Sequence, residues 1–253
     1  MKITILQNDI VWADPKANTA KIDAILAAQP KSDVYLLPEM FTTGFATQPE
    51  NIAEPLETSS LSWMKEKAKA LDAAIAGSIA ICTEENGQNV YRNRFFFVKP
   101  DGDVVFYDKH HLFTYGGEHK RYTRGEERVV VEFRGFRFLL QVCYDLRFPV
   151  FSRNKGDYDA ALYVASWPET RVEAWKILLR ARAIENQCFV VGLNRVGTDP
   201  YCKYSGGSAI IDPYGNVIAA PEDNKEMCVT AELDMDMLKQ FREKFPVLND
   251  RDV

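Results

Sequence analysis

Three segments of this 253-residue chain run from an apolar stretch straight into a reactive side chain. VYLLP is followed by Glu39, VVFYD by Lys109 and FLLQV by Cys143. A thiol, a carboxylate and an ammonium ion together suffice for acyl transfer. The thiolate is the nucleophile, and its pKa falls beside a cation. The carboxylate can take the thiol proton and later give one to a leaving amine. The ammonium ion can hold a developing oxyanion, helped by the backbone N–H after the nucleophile, here that of Tyr144. Each residue also has an ordinary reading: Glu39 as a solvated loop acid, Lys109 as an edge-strand charge, Cys143 as a buried core thiol. The joint reading gains from position, because strand ends on a common rim are where ligand sites form in layered α/β folds. A Cys–His pair is a second open arrangement, with His110 or His111 swung towards Cys143.

The elements that must carry these residues alternate at first. Residues 2–9 (KITILQND) form an apolar, β-branched run, and residues 16–29 have helical spacing with Ala20, Ile22, Ile25 and Leu26 towards one side. Residues 34–39 (VYLLPE) read as a short buried strand. In residues 61–75, Leu61, Met64, Ala68, Leu71 and Ile75 step by three or four, the spacing of an amphipathic helix. Residues 74–81 follow as a strand. The pattern then changes to hairpins: residues 93–109 turn around Pro100-Asp101-Gly102, residues 129–143 near Arg134-Gly135, and residues 208–220 over Asp212-Pro213-Tyr214-Gly215. Between the last two lie a strand (161–166), a helix (172–186) and a strand (188–196); residues 227–245 close with a strand and a helix. A doubly wound parallel sheet needs a crossover helix between nearly every pair of strands, so three hairpins argue instead for packed sheets under helical layers.

With 46% hydrophobic and 26% charged residues, the composition is that of a globular domain with ample core material. No repeat or linker divides the chain, so residues 1–253 read as one domain. A net charge of −5 argues against nucleic acid or an anionic membrane as main partner. No apolar run is long enough to span a bilayer, and Asn8 and Asp9 come too early for a signal-peptide core, so the cytoplasm is the expected compartment. Cys82, Cys143, Cys188, Cys202 and Cys228 are odd in number, widely spaced and without a CxxC, a poor disulfide framework and a poor zinc site. His110, His111 and His119 cluster without a second set of ligands at metal spacing, so no metal is expected. GxGxxG and GxxxxGK[ST] are absent, which disfavours a nucleotide-binding module.

PEMFTTGF around Glu39, YDKHHLF around Lys109 and VCYDLRFP around Cys143 resemble, in order and spacing, the three catalytic signatures of the nitrilase superfamily of carbon–nitrogen hydrolases. The likeness runs from ITILQND to REKFP. GGEHKRY, VCYDLRFPVFSRN, ALYVASWP, RARAIENQ and NRVG are similar to the bacterial omega-amidase branch, whose members deamidate 2-oxoglutaramate and 2-oxosuccinamate. The resemblance implies a four-layer α-β-β-α sandwich, a small amide as substrate, no cofactor, and a homodimer paired through helices near the nucleophile. It implies that Glu39 is general base and then acid, that Lys109 stabilises the tetrahedral intermediate, and that Cys143 is the nucleophile. Glu118 falls where the family has a second glutamate that orients substrate or water; by itself it reads as a loop carboxylate. The catalytic residues do not encode the leaving group, so an amidase or carbamoyl hydrolase with another substrate stays open. A binding protein that kept the fold without turnover is a further alternative, against which the intact Glu39, Lys109 and Cys143 speak.

An oxo-acid amide needs apolar walls and a cation for its carboxylate. Phe45, Phe113, Tyr115, Tyr144 and Trp167 are candidate walls, and Arg195, Arg147, Arg171 and Lys120 are candidate cations. Leu146 and Phe148 flank Arg147, which suggests a partly buried structural ion pair with Asp145. Like charges raise each other's pKa, so two glutamates beside a thiolate need a close cation. A planar guanidinium cannot take the place of a compact ammonium. Lys109→Arg is therefore expected to lose about as much turnover as Lys109→Ala, at least ~10²-fold; near-native kcat in Lys109→Arg would remove the compact charge from the scheme.

Overall fold

The computed structural model describes residues 1–252. The first half of the chain builds one sheet. β1 (Lys2–Gln7), α1 (Pro15–Ala27), β2 (Val34–Leu36), β3 (Glu54–Pro55), α2 (Ser59–Leu71), β4 (Ala74–Glu85), β5 (Gln88–Val98) and β6 (Val104–Asp108) follow in order. The second half builds another, with β7 (Val130–Phe133), β8 (Phe136–Val142), the short α3 (Pro149–Ser152), β9 (Ala160–Ala165), α4 (Val172–Asn186) and β10 (Phe189–Asn194). The ribbon of β11 (Val196–Thr198) and β12 (Lys203–Ser205) comes next, then β13 (Ala209–Ile211), β14 (Val217–Ala219), β15 (Met227–Glu232) and α5 (Met235–Lys244).

The first sheet has the order β15-β1-β2-β4-β5-β6, with β3 added alongside β4; the second has the order β14-β13-β10-β9-β8-β7. Each centres on three parallel strands, β1-β2-β4 in one and β8-β9-β10 in the other. Antiparallel hairpins extend both, and β15 returns to pair with β1. All three hairpins read from the sequence are present. A fourth joins β4 to β5 through Asn86-Gly87, both at positive φ, the Asn-Gly pair that two-residue hairpin turns favour.

The layers follow from strand periodicity. Along β1 and β2, Ile3, Ile5, Val34 and Leu36 point to the second sheet, where they join Phe95 and Phe97 against Phe138, Leu140, Val142, Leu162, Val164 and Val191. Leu6, Tyr35, Ile75, Ile79 and Phe96 point the other way, onto Ile22 and Leu26 of α1 and Leu61, Met64 and Ala68 of α2. On the far side, Trp175, Leu179 and Ala183 of α4 cover Leu139, Ala161, Tyr163 and Val190. Strands covered on both faces must be apolar on both, which is why these segments read as continuous hydrophobic runs. Each fully buried side chain of this size contributes about 1.5–3 kcal/mol. The result is the four-layer α-β-β-α sandwich, with α5 placing Leu238 at the edge of the central core.

Two spacing-based assignments change. Ala20 is exposed, and α1 faces the core through Asn18, Ile22 and Leu26 instead. Asn18 is there because its side chain bonds the Val11 and Thr42 backbones, tying the loop before α1 to the loop after β2. Ile75, which completes the three-and-four spacing of α2, lies on β4, because Asp72 takes a left-handed conformation and stops the helix.

Gly77 on β4 lets the chain after β2 turn towards the site. A Cβ at Gly77 would lie 2.8 Å from Leu37 Cβ, against the backbone that leads to Glu39. Ser78 then fixes that turn: its hydroxyl accepts the Met40 N–H at 2.8 Å and its carbonyl the Phe41 N–H at 3.2 Å.

Candidate active site

Glu39 follows β2, Lys109 follows β6 and Cys143 follows β8, so the three side chains arrive from both sheets and meet where the sheets face each other. Lys109 Nζ lies 3.0 Å from Glu39 Oε1 and 3.0 Å from Glu118 Oε2, with all three side chains fully buried. Glu118 reaches the group from a short turn of 3₁₀ helix (Glu118–Lys120), and its Oε2 accepts the Phe113 N–H at 2.6 Å. It is therefore not a solvated loop acid. Glu39 is held on both oxygens: Oε1 accepts the Asn93 side-chain N–H at 2.8 Å and Oε2 the Ser166 backbone N–H at 2.8 Å. The same Asn93 amide reaches Glu118 Oε1 at 3.4 Å.

Cys143 occupies a sharp turn rather than a simple strand end. It opens a 3₁₀ turn over Cys143–Arg147 with φ at +46°, a left-handed conformation that a side chain adopts at a cost of roughly 1–2 kcal/mol. Glu39 precedes another such position, Met40 at φ +45°. Strain of this kind gathers at sites where the surroundings over-determine the backbone.

The electrostatics set the resting state. Burial alone would push the Lys109 ammonium towards deprotonation, but Glu118, Glu39 and Cys143 outweigh it and hold its pKa above the usual lysine range. Burial raises the Glu118 carboxyl, with Glu39 adding to the rise and Lys109 opposing it. The Cys143 thiol is pushed well up, first by burial and then by Glu39, against the pull of Lys109 and the Ser166 N–H. The expectation that a neighbouring cation lowers this thiol is therefore reversed in the net. In a dry site shared with two carboxylates, one ammonium does not offset both desolvation and repulsion. The resting nucleophile is the neutral thiol, which needs a base.

A cavity of about 320 Å³ opens above these groups. Phe45, Phe113, Tyr144 and Trp167 line it. Tyr115 does not; it is 87% exposed, with its ring tilted against that of Phe113. Arg195 and Lys120 are also outside the lining. Arg195 is buried, donating to Asp9 Oδ1 at 2.6 Å and to the carbonyls of Ile10, Val196 and Thr198, so its role is to brace the β11–β12 ribbon. That ribbon supplies the wall formed by Asp199, Tyr201, Cys202 and Tyr204.

Arg147 and Arg171 do line the cavity. The Arg147 guanidinium lies 4.8 Å over the Trp167 ring and that of Arg171 lies 5.5 Å over Phe113. Among the described residues neither has a carboxylate partner. The ion pair between Arg147 and Asp145 does not form, because Asp145 turns inward to the Val142 N–H, Tyr107 and His111. Neither His110 nor His111 lines the Cys143 cavity. His110 Nδ1 bonds the Gly125 carbonyl and the ring stacks on Phe151; His111 stacks on Phe148. Among the described residues no three His, Cys, Asp or Glu side chains are arranged to hold a metal ion.

Asn93 and Ser166 are contacts of Glu39 that the sequence reading does not single out. Asn93 sits inside a long strand run, where one polar residue reads as an outward position. The Ser166 contact is made by its backbone, which no side-chain pattern reveals.

The carbon–nitrogen hydrolase family model matches residues 2–243. The chain is 49% identical over 254 residues to omega-amidase YafV of Escherichia coli (strain K12), covering 100% of this chain and 97% of that protein. It is 37% identical over 254 residues to the 2-oxoglutaramate amidase of Bacillus subtilis (strain 168), covering 98% of this chain and 96% of that protein. Among solved structures, XC1258 from Xanthomonas campestris, a CN-hydrolase superfamily protein with an arsenic adduct in its active site, superimposes with a TM-score of 0.95 at 42% identity. That match covers 100% of this chain and 97% of the other.

The raised thiol pKa has a sign that can be read directly. Alkylation of Cys143 by iodoacetamide, followed by mass spectrometry, is expected to have its pH midpoint above the ordinary thiol value of ~8.5. Glu39→Gln removes a negative charge and should bring the midpoint down; Lys109→Met removes the cation and should move it further up. A wild-type midpoint at or below the ordinary value would mean that Lys109 outweighs burial and the carboxylates at this thiol.

Proposed function

The chain belongs to the carbon–nitrogen hydrolase family, and from that premise we propose that it is an omega-amidase. It hydrolyses the ω-amide of short 2-oxo-dicarboxylic acid monoamides, such as 2-oxoglutaramate and 2-oxosuccinamate, to the 2-oxo acid and ammonia. The observation that carries the reading is the pair of guanidinium groups, Arg147 and Arg171, on the walls of the cavity that holds Cys143. A small apolar cavity with cations free to bind a carboxylate suits a short substrate that is an amide at one end and an anion at the other.

The chemistry proceeds from the neutral thiol. Glu39 takes the Cys143 proton as sulfur attacks the ω-amide carbon, and the carbonyl oxygen becomes an oxyanion held by Lys109 and the Tyr144 N–H. Donors of this kind each contribute about 3–4 kcal/mol in hydrolases. Glu39 gives its proton to the departing nitrogen, the C–N bond breaks, and ammonia leaves a thioester. Water then attacks the thioester carbon while Glu39 takes its proton. The C–S bond breaks, and the proton returns to the sulfur. Glu118, fixed between Lys109 and the Phe113 N–H, orients the ammonium and the water. Residues 1–253 act as one domain, in the cytoplasm, without cofactor; no helix among the described residues is long and apolar enough to cross a membrane.

The active form is a homodimer. α4 turns Trp175 and Leu179 to the core but leaves Ile177 64% and Ile184 53% exposed, and Val150 of α3, six residues from the nucleophile's neighbour Tyr144, is 72% exposed. Apolar side chains on neighbouring helices behind the nucleophile fit a second copy of the same surface. Gel filtration with light scattering at micromolar concentration should give twice the chain mass of 28.8 kDa; a monomer would remove this part of the proposal.

Ammonia release should be fast from 2-oxoglutaramate or 2-oxosuccinamate, slow from glutamine, asparagine and a carbamoylated amine, and absent in Cys143→Ala. Arg147→Ala and Arg171→Ala should each raise KM for the oxo-amides, the better anchor by at least tenfold. That corresponds to the ~1.5–3 kcal/mol of a charge-assisted hydrogen bond. Turnover of the carbamoyl compound alone would keep the cysteine mechanism and replace the substrate.

A further inference from the structure

We propose that Asp145 is a positioning residue that fixes Cys143 and Lys109 relative to one another through the backbone beside each. The proposal rests on the roles given above to Cys143 and Lys109. Asp145 is fully buried, and among the described residues no lysine or arginine pairs with it. Its carboxylate is nonetheless saturated. Oδ2 accepts the Val142 N–H and the Tyr107 hydroxyl, both at 2.9 Å. Oδ1 accepts the His111 backbone N–H at 2.9 Å and its ring Nδ1 at 2.8 Å. Four donors fill the four lone-pair sites of one carboxylate.

The donors come from both sides of the reacting pair. Val142 immediately precedes Cys143, so its bond to Asp145 closes the tight turn that holds Cys143 at φ +46°. Tyr107 and His111 bracket Lys109 by two residues on either side. The Tyr107 hydroxyl also accepts the His110 N–H at 3.0 Å, so it donates to Asp145 while fixing the residue next to Lys109. Burial and the adjoining Asp145 push the Tyr107 phenol well up, which keeps its proton on oxygen as the donor. Lys109 itself is anchored from the other side, by its N–H to the Asn93 carbonyl at 3.0 Å. One carboxylate therefore joins the end of β8 in the second sheet to the chain leaving β6 in the first.

This arrangement differs from a Cys–His–Asp triad, although His111 and Asp145 are paired as they would be in one. His111 does not line the Cys143 cavity, and its ring packs on Phe148 and edge-on to His110. The histidine is a donor to the clamp, not a proton carrier to the thiol. Asn at position 145 cannot replace the carboxylate. In either orientation its amide N–H₂ faces a backbone N–H that can only donate, that of Val142 on one side or that of His111 on the other.

Two observables separate positioning from general stability: the split between kcat and KM, and the pH midpoint of Cys143 alkylation. Tyr107→Phe, which keeps the ring in the core, is expected to lose kcat by up to ~10²-fold with KM changed less than threefold, the penalty for a small misplacement of reacting groups. Its alkylation midpoint should rise, because the thiolate no longer has Lys109 held beside it. Glu39, Glu118, Lys109 and the Ser166 N–H are the groups that face this thiol, and only the Lys109 contact weakens in the variant. His111→Asn, whose amide N–H can stand in for Nδ1–H, should keep more activity than His111→Ala. Asp145→Asn should show the largest loss, and Tyr107→Phe carries the test if it fails to fold. Folded Tyr107→Phe and His111→Ala with wild-type kcat, or with lower kcat and an unmoved midpoint, would overturn the proposal whatever their melting temperatures. If no amide is hydrolysed by the wild type, the function assigned above fails, while the alkylation midpoints still decide the role of Asp145.

Discussion

The ion cluster of Lys109 with Glu39 and Glu118 is the constraint on which the other features of the site depend. Three charged side chains with no solvent exposure meet beside the cavity, Glu39 and Lys109 in its lining, and desolvating each costs several kcal/mol. Such a cluster persists only if every remaining lone pair finds a donor. Asn93, the Ser166 N–H and the Phe113 N–H are those donors, and each comes from a different segment. Removing one partner would leave an uncompensated buried charge, a change that typically costs 3–5 kcal/mol. The surrounding loops are therefore fixed by the electrostatics of the cluster as much as by their own packing.

The sandwich supplies these donors because its sheets are separate objects with a shared core. Glu39, Asn93 and Lys109 belong to the first sheet or its loops, and Cys143 and Ser166 to the second. Their distances depend on how the sheets are set against each other by Phe97, Phe138, Val164 and their neighbours. Close packing of such side chains resists small displacements, so a site split across two sheets is as rigid as the core between them. Polar ties cross the same gap beside the site: Ser166 to Glu39, and Asp145 to Tyr107 and His111.

Much of this was legible in the sequence, for identifiable reasons. The three hairpins carry turn residues, the helix over 172–186 carries its own period, and Glu39, Lys109 and Cys143 stand out because reactive side chains abruptly end apolar runs. Where sequence failed, the decisive partner lay far along the chain. Arg195 and Arg147 look alike as candidate anchors; Asp9, 186 residues away, binds the first, while Trp167 stacks on the second and leaves it free. Asp145 sits two residues from Arg147, but three of its four donors are 34 and 38 residues upstream and the fourth is the Val142 N–H. Tyr115 follows Phe113 closely, yet the 3₁₀ turn over Thr114–Gly116 carries it outward. Ala20 and Ile75 show the limit of periodicity, which cannot see a buried Asn18 or a left-handed Asp72.

The charge inventory of the site also separates substrate from product. With the thiol neutral and both carboxylates ionised, Cys143, Glu39, Glu118 and Lys109 together carry one net negative charge. Moving the thiol proton to Glu39 leaves that sum unchanged, and so does returning it to nitrogen as neutral ammonia leaves. The amide carbonyl that enters is neutral, so the acylation half adds no charge to a region where charge is expensive. Hydrolysis of the thioester changes this, because the new carboxylic acid ionises beside Glu39 and Glu118. A third carboxylate against a single ammonium is repelled by both neighbours. Under the proposed chemistry, the same cluster that accepts a neutral amide opposes the anion made from it. Product release follows from the electrostatics that hold Lys109 in place, with no moving part required.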